Sequence, residues 1–140
     1  MTGNDFVTFF LRTPLHVFMG DTMLITVTGR RTGRKYSTPV GFYRENGYLW
    51  VMTNRDRTWW RNVREGAEVS LLMRGKTVNA FAEAELDEKA VEARMLEYIR
   101  QIPMAAKPLG IRIENKIPNK DDVRRAAGVR LFVKVKPILP

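Results

Sequence analysis

Two short stretches hold the residue types that could do chemistry. In Thr28-Gly29-Arg30-Arg31-Thr32-Gly33-Arg34-Lys35, four cations fall within six residues, with two glycines and the hydroxyl of Thr32 among them. Glycines let a backbone turn tightly with its N–H groups outward, and such a turn beside cations suits a phosphate or a carboxylate. No Gly-Lys-Ser/Thr follows the second glycine, so this is not a Walker A loop. A solvated basic hairpin end, or a patch gripping RNA, fits the same residues. The second stretch is Arg55-Asp56-Arg57-Thr58-Trp59-Trp60-Arg61-Asn62. Neighbouring residues on a helix diverge by ~100°, so one indole is expected in the core and the other on a cleft wall. The plainer alternative is that both tryptophans plug a barrel. Asn62 falls three residues after Trp59, on about the same face, where it can hold a loop or a ligand.

The composition narrows what these stretches can do. Among 140 residues there is no Cys and one His, His16. Thiolate chemistry and Cys-ligated metals are therefore excluded, and a His cluster cannot form. Chemistry would have to come from a bound cofactor, and no metal is expected. His16 reads as structural or solvated. Tyr43, Tyr48 and Tyr98 are candidate proton donors that nothing in the sequence ranks. The net charge is +9, and Thr28–Arg64 holds nine basic residues against Glu45 and Asp56. Glu83–Glu97 is acidic, with six carboxylates against Lys89 and Arg94, and the acids of Asp87–Glu97 read as the solvated face of their helix. This contrast points to a local anion site rather than a generally sticky surface. The opening Met1–Asp5 has no basic run, and uncharged stretches such as Thr22–Gly29 fall short of the ~20 apolar residues a span needs. A soluble cytoplasmic protein is the expectation.

The elements that must position these residues can be read from periodicity. A helix is expected within residues 1–20, apolar at Phe6, Phe10, Val7, Leu11 and Leu15 and interrupted at Pro14. It can serve as a docked helix, a lid, or a peripheral membrane contact. Met23–Val27 reads as a buried strand, and Ser37–Arg44 and Tyr48–Thr53 as a hairpin around Asn46-Gly47. Thr58–Arg64 reads as a short helix capped by Asn54 or Asp56 and ended by Gly66. Glu68–Arg74 and Thr77–Leu86 form a second hairpin around Gly75. Asp87 caps a helix running to about Ile102, with Val91, Met95, Leu96 and Ile99 on its apolar face. Pro103–Ala127 is weakly patterned and is expected to form loops and short helical turns. Val129–Lys136 alternates as a closing strand. Six strands with a helix before the last make a mainly β protein, a small antiparallel barrel with flanking helices. A single domain over 1–140 follows: 1–20 helix, 22–86 barrel core, 87–127 helical insertion and 129–136 closing strand.

Leu24–Val40, with its core Thr28-Gly29-Arg30-Arg31-Thr32-Gly33-Arg34-Lys35-Tyr36-Ser37-Thr38-Pro39, resembles the signature of the deazaflavin-dependent nitroreductase family. These are split β-barrel proteins similar to the FMN-binding split barrels. Trp59-Trp60-Arg61-Asn62-Val63, then Val69–Leu72 and Gly75-Lys76, resemble the family's next motifs, and Leu11-Arg12-Thr13-Pro14-Leu15-His16 is similar to a subgroup's opening. Tyr36 stands where such proteins tend to carry a basic residue. The resemblance implies an oxidoreductase that passes hydride from the reduced deazaflavin coenzyme F-420 to an electron-poor acceptor, a quinone or nitroaromatic. It implies that Arg30, Arg31, Thr32, Gly33 and Arg34 meet the coenzyme's phosphate and acidic tail. Ser37, Thr38, Pro39 and Val40 would run along the ring, and Thr53, Arg55, Trp59 and Asn62 would form the other wall. FMN in the same barrel is the alternative cofactor. A basic nucleic-acid-binding barrel is the alternative of another class, with Trp60 stacking on a base. The expected partners are thus a small-molecule cofactor and a lipophilic acceptor; no catalytic side chain is assigned, and the oligomeric state is open.

Overall fold

A computed structural model of the protein describes residues 21–138. The helix expected within residues 1–20, His16 and the opening Leu11–His16 motif lie outside the described residues. Eight strands and two helices follow in chain order: β1 (Asp21–Thr28), β2 (Lys35–Glu45), β3 (Tyr48–Asn54), β4 (Ala67–Met73), β5 (Lys76–Glu85), α1 (Glu88–Gln101), β6 (Ile113–Glu114), β7 (Ile117–Pro118), α2 (Lys120–Gly128) and β8 (Arg130–Pro137). Six strands close an antiparallel barrel in the order β1-β2-β3-β8-β5-β4, and β6-β7 is a separate two-stranded hairpin.

The alternating residues of the sequence fill this barrel. Met23, Ile25 and Val27 of β1, Leu49 and Val51 of β3, and Leu131, Val133 and Val135 of β8 pack into one buried core. Their polar neighbours point outward, as the two-residue period of a strand requires. The turns follow from residues that tolerate left-handed backbone. Asn46 and Gly47 (φ 55° and 81°) close a two-residue loop between the paired Glu45 and Tyr48. Arg74 and Gly75 (φ 49° and 80°) do the same between Met73 and Lys76. Both positive φ values match the twist of the flanking strands.

The barrel is not paired evenly. Strand β2 pairs with β1 along Lys35–Phe42 but with β3 only from Phe42 to Glu45. The last residues of β3 turn instead to β8, where Thr53 faces Leu131. The other edge of Lys35–Gly41 thus has no described strand beside it, and half of its backbone groups face away from β1. This is the split in the barrel.

A second core lies outside the barrel. Tyr43, Trp50 and Phe132 are covered there by Val91, Met95, Tyr98 and Ile99 of α1 and by Val123, Ala126 and Ala127 of α2. The Asp87 carboxylate caps α1 by accepting from the Ala90 N–H at 3.0 Å. Helix α2 replaces the loops and short turns expected over the last third of Pro103–Ala127. Asn119 caps it by accepting from the Asp122 N–H at 3.0 Å, and Asp121 and Asp122 occupy its first turn. The acids of Asp87–Glu97 are not simply solvated: Glu92 and Glu97 pair with Arg124 and Arg100, and Glu83 of β5 pairs with Lys134. No helix among the described residues is long and apolar enough to cross a membrane.

Candidate functional site

The two chemistry-bearing stretches meet at one end of the barrel. A tight turn joins β1 to β2: the Gly29 N–H donates to the Arg34 carbonyl at 2.6 Å, and the Gly33 N–H to the Gly29 carbonyl at 3.0 Å. Gly33 (φ 73°) takes a left-handed backbone that favours glycine. Thr32 Oγ1 accepts from the Arg34 N–H at 3.2 Å. The N–H groups of Arg31 and Thr32 have no partner among the described residues. Two donors without a partner among the described residues, at the head of a turn flanked by cations, are an arrangement of the kind that can receive an anion.

Opposite this turn sits a 3-10 turn over Trp59–Val63. It lies across the barrel end and buries Trp59, Trp60 and Val63 in the barrel core. The expected cap from Asn54 or Asp56 does not form, since Thr58 holds the cap position with no side-chain bond. The Asn54 carbonyl is instead used in the turn before it, accepting from the Arg57 N–H. Both indoles are buried, at 8% and 5% exposure, so the divergence expected of neighbours on a helix does not expose either ring. Trp59 nevertheless reaches the cleft wall. The Trp60 ring lies under the Arg61 guanidinium at 5.6 Å.

Asn62 joins the two turns. Its Oδ1 accepts from the Arg30 N–H at 3.1 Å, and its Nδ2 donates to the Trp59 carbonyl at 3.2 Å. Between them opens a cleft of about 470 Å³, lined by Arg30, Arg31, Thr32, Trp59 and Asn62 together with Gly29, Tyr36, Thr58 and Arg61. That size suits a small-molecule site. The last four are the lining residues that the resemblance did not assign. Tyr36 is there because Gly29 has no side chain: a Cβ on Gly29 would sit 2.9 Å from Tyr36 Cε2.

The remaining expected site residues lie outside this lining. Gly33 and Arg34 belong to the turn itself. Ser37, Thr38, Pro39 and Val40 follow along β2, on the stretch with the unpaired edge. Ser37 Oγ is 2.7 Å from Thr26 Oγ1 and so is engaged on the barrel wall. Thr53 sits within the β3–β8 pairing. Arg55 turns away: its guanidinium donates to the Arg130 carbonyl at 2.9 Å and to the Leu86 carbonyl at 2.8 Å, tying the ends of β3, β5 and β8 together. None of the three tyrosines considered as proton donors lines the cleft. Tyr43 stacks on Tyr98 of α1, and burial pushes both hydroxyls up to about 12. Tyr48 lies on another barrel face, beside Lys134 and Lys136.

The arginines near the cleft differ from those later in the chain. Among the described residues, every arginine after Arg64 except Arg130 is paired with a carboxylate. Arg30, Arg31, Arg34, Arg57 and Arg61 have no such partner, and Arg44 is the ion-paired residue of that stretch, at the far end of β2 with Asp21. A cluster of unpaired cations repels itself, and an anion in its midst relieves that repulsion. No group of three His, Cys, Asp or Glu side chains among the described residues could hold a metal ion.

Comparison with known proteins gives a family and a fold. The family described as F420H(2)-dependent quinone reductase matches residues 12–109. No curated protein matches the sequence. Among solved structures, a putative pyridoxamine 5'-phosphate oxidase from Listeria innocua superimposes with a TM-score of 0.55 at 11% identity, over 97% of this chain and 93% of that one. A conserved hypothetical protein from Mycobacterium tuberculosis gives 0.55 at 13% identity, over 99% and 82%. The general stress FMN/FAD binding protein from Xanthomonas citri gives 0.52 at 14% identity, over 85% and 76%. At these identities the likeness is one of fold, and it is the split-barrel fold that the sequence motifs led us to expect.

Proposed function

On the premise that this chain belongs to the F420H(2)-dependent quinone reductase family, oxidoreductases that use a deazaflavin coenzyme, we propose that the cleft between the Arg30 turn and the Trp59 turn is where the coenzyme binds. When bound, the reduced deazaflavin supplies the hydride that the quinone accepts. The observation that carries the reading is the run of unpaired arginines around a concavity with two free backbone donors.

The residues of the chain have definable tasks in this reading. Arg30, Arg31 and the N–H groups of Arg31 and Thr32 hold the anionic end of the ligand. Charge-assisted bonds of this kind contribute about 1.5–3 kcal/mol each. Asn62 keeps the anion-binding turn at a fixed distance from Trp59. Trp59 offers a rigid apolar wall, and Tyr36 a second aromatic surface. The unpaired edge of Lys35–Gly41, including Ser37, Thr38, Pro39 and Val40, presents backbone groups to the polar rim of a flat ring. Arg55 and Thr53 act from behind, through the strand ends they join. No nucleophile is needed, so the chain contributes orientation and charge.

FMN is the second reading, since a protein that binds FMN/FAD shares the fold. Its single phosphate leaves most of the unpaired cations unused, which favours the more anionic deazaflavin. Titration of the protein with each ligand, followed by tryptophan fluorescence at fixed salt, separates the two. Saturable quenching by the deazaflavin coenzyme is expected, because Trp59 forms a wall of the cleft. Saturation by FMN alone keeps the barrel and changes the donor. Quenching by neither removes the ligand from this cleft.

A further inference from the structure

The outer face of β3, β8 and β5 is covered along only part of its length. Trp50 and Phe132 lie beneath α1 and α2. Farther along, Phe81 of β5 and Ile138 just past β8 are 47% and 46% exposed. Across the β5–β8 pairing Phe81 faces Lys136 and Glu83 faces Lys134. The Ile138 N–H donates to the Asn79 carbonyl at 2.8 Å, which carries the pairing one residue past the strand.

The side chains of this face lean apart. Phe81 leans toward β4, so close to Gly66 that a Cβ there would sit 2.6 Å from Phe81 Cζ. The ammonium groups of Lys134 and Lys136 lean the other way, 5.5 and 5.7 Å from the centre of the Tyr48 ring on β3. A trough of about 400 Å³ opens here, with Tyr48 and Phe81 as aromatic walls and Pro137 and Ile138 adding apolar surface. It lies toward the end of the barrel opposite the Arg30 turn, since Tyr48 starts β3 and Pro137 ends β8. Its charge is one-sided. Glu83 is the one carboxylate in the lining, and it is paired with Lys134 at 3.5 Å. Lys136 has no carboxylate partner among the described residues. Glu68 faces Phe81 from β4 but does not line the trough.

We propose that this trough is a second ligand site, one that takes a small aromatic carboxylate. An aromatic body set against Phe81 and Tyr48 leaves water on both of its sides. A single carboxylate meets the Lys136 ammonium, the charge in the lining that no described residue neutralises. Partial enclosure by apolar walls leaves that attraction less screened than on open surface. A more highly charged anion is better served by the run of unpaired arginines at the cleft, and a neutral aromatic compound leaves Lys136 unmatched. The inference rests on this face alone and stands or falls independently of what fills the Arg30 cleft.

The test follows the backbone amides of the full chain by NMR during titration with naphthoate and, separately, with the neutral naphthylmethanol. Saturable shifts are expected at Tyr48, Phe81, Lys136 and Ile138 with naphthoate, and weaker binding of the alcohol. Two variants change exposed residues only. Lys136→Gln removes the charge, and Phe81→Thr removes one aromatic wall while keeping a strand-favouring residue. Each is expected to weaken naphthoate binding roughly threefold or more, with circular dichroism melts showing that both variants fold. Absence of saturable shifts at these amides overturns the proposal, as do shifts confined to the Arg30 turn, which place the carboxylate in the cleft. Equal affinity for the alcohol overturns it, because Lys136 then selects nothing. Naphthoate binding left unchanged in either variant overturns it too. If the same amides shift with protein concentration alone, the trough is a contact between two copies and the ligand site is wrong.

Discussion

Asn62 offers the sharpest perturbation, because two turns distant in sequence meet through its side chain. In Asn62→Ala the Arg30 N–H at 3.1 Å and the Trp59 carbonyl at 3.2 Å both lose their partner. A neutral hydrogen bond contributes about 0.5–1.5 kcal/mol net, and water reaches both of these groups in part. The expected cost to folding is therefore about 1–2 kcal/mol, or a fall in Tm of roughly 3–8 °C for a chain of this length. The coenzyme should feel only the Arg30 half of the loss. If the tether keeps the anion-binding turn in its competent state, losing it raises Kd by about 2–12-fold. Asn62→Asp separates the two effects. Its carboxylate still accepts from Arg30, so Tm recovers in part, but its charge opposes an anionic ligand, so Kd rises further than in the alanine variant. Melts followed by circular dichroism, paired with fluorescence titration of the coenzyme, read both quantities. A fall in Tm without any change in Kd would refute the reasoning: Asn62 would then be a structural clasp beside an unrelated cleft.

Two further outcomes follow from positions outside the cleft. Gly66 (φ 100°) lies against Phe81, and a Cβ there would come within 2.6 Å of Phe81 Cζ. Gly66→Ala is therefore expected to destabilise by about 1–3 kcal/mol from backbone strain and displacement of the ring, a loss that thermal melts would show. Asp122 is buried, and its bonds to Arg112 hold its carboxyl down at about 2, below the usual value of about 4. Its contribution to stability is thus fully present above about pH 4 and lost as the pH falls toward 2. Asp122→Asn should lower stability at neutral pH and flatten this acid limb, so that wild type and variant converge as pH drops. A constant gap across the range would contradict the assignment.

The barrel was legible because its signals are local. The apolar run Met23–Val27, the alternation in Val129–Lys136, and Asn-Gly at 46–47 specify strands and turns within a few residues. Helix α2 was not, because its nine residues carry five charges and only the small apolar face of Val123, Ala126 and Ala127. That face has meaning only once Phe132 and α1 are placed beneath it. The site divides along the same line. The basic turn and the paired tryptophans were visible in sequence, and the fold brings them together. Arg55 looked like one more cation for the ligand, yet its guanidinium is taken by carbonyls 31 and 75 residues away. Tyr36 enters the cleft through space vacated by Gly29, a dependence between positions seven apart that no composition or period reveals.

The central claim is that unpaired arginines at the Arg30 turn hold an anionic coenzyme, and it is tested most directly by the coenzyme affinity of the Arg30→Ala, Arg31→Ala double variant. Arg74→Ala serves as control, since Arg74 is an exposed arginine that pairs with Asp21 instead. Loss of two charge-assisted contacts predicts a Kd raised by more than about tenfold in the double variant and unchanged in the control. Equal affinity in all three proteins would contradict the account and move the coenzyme to another face of the barrel.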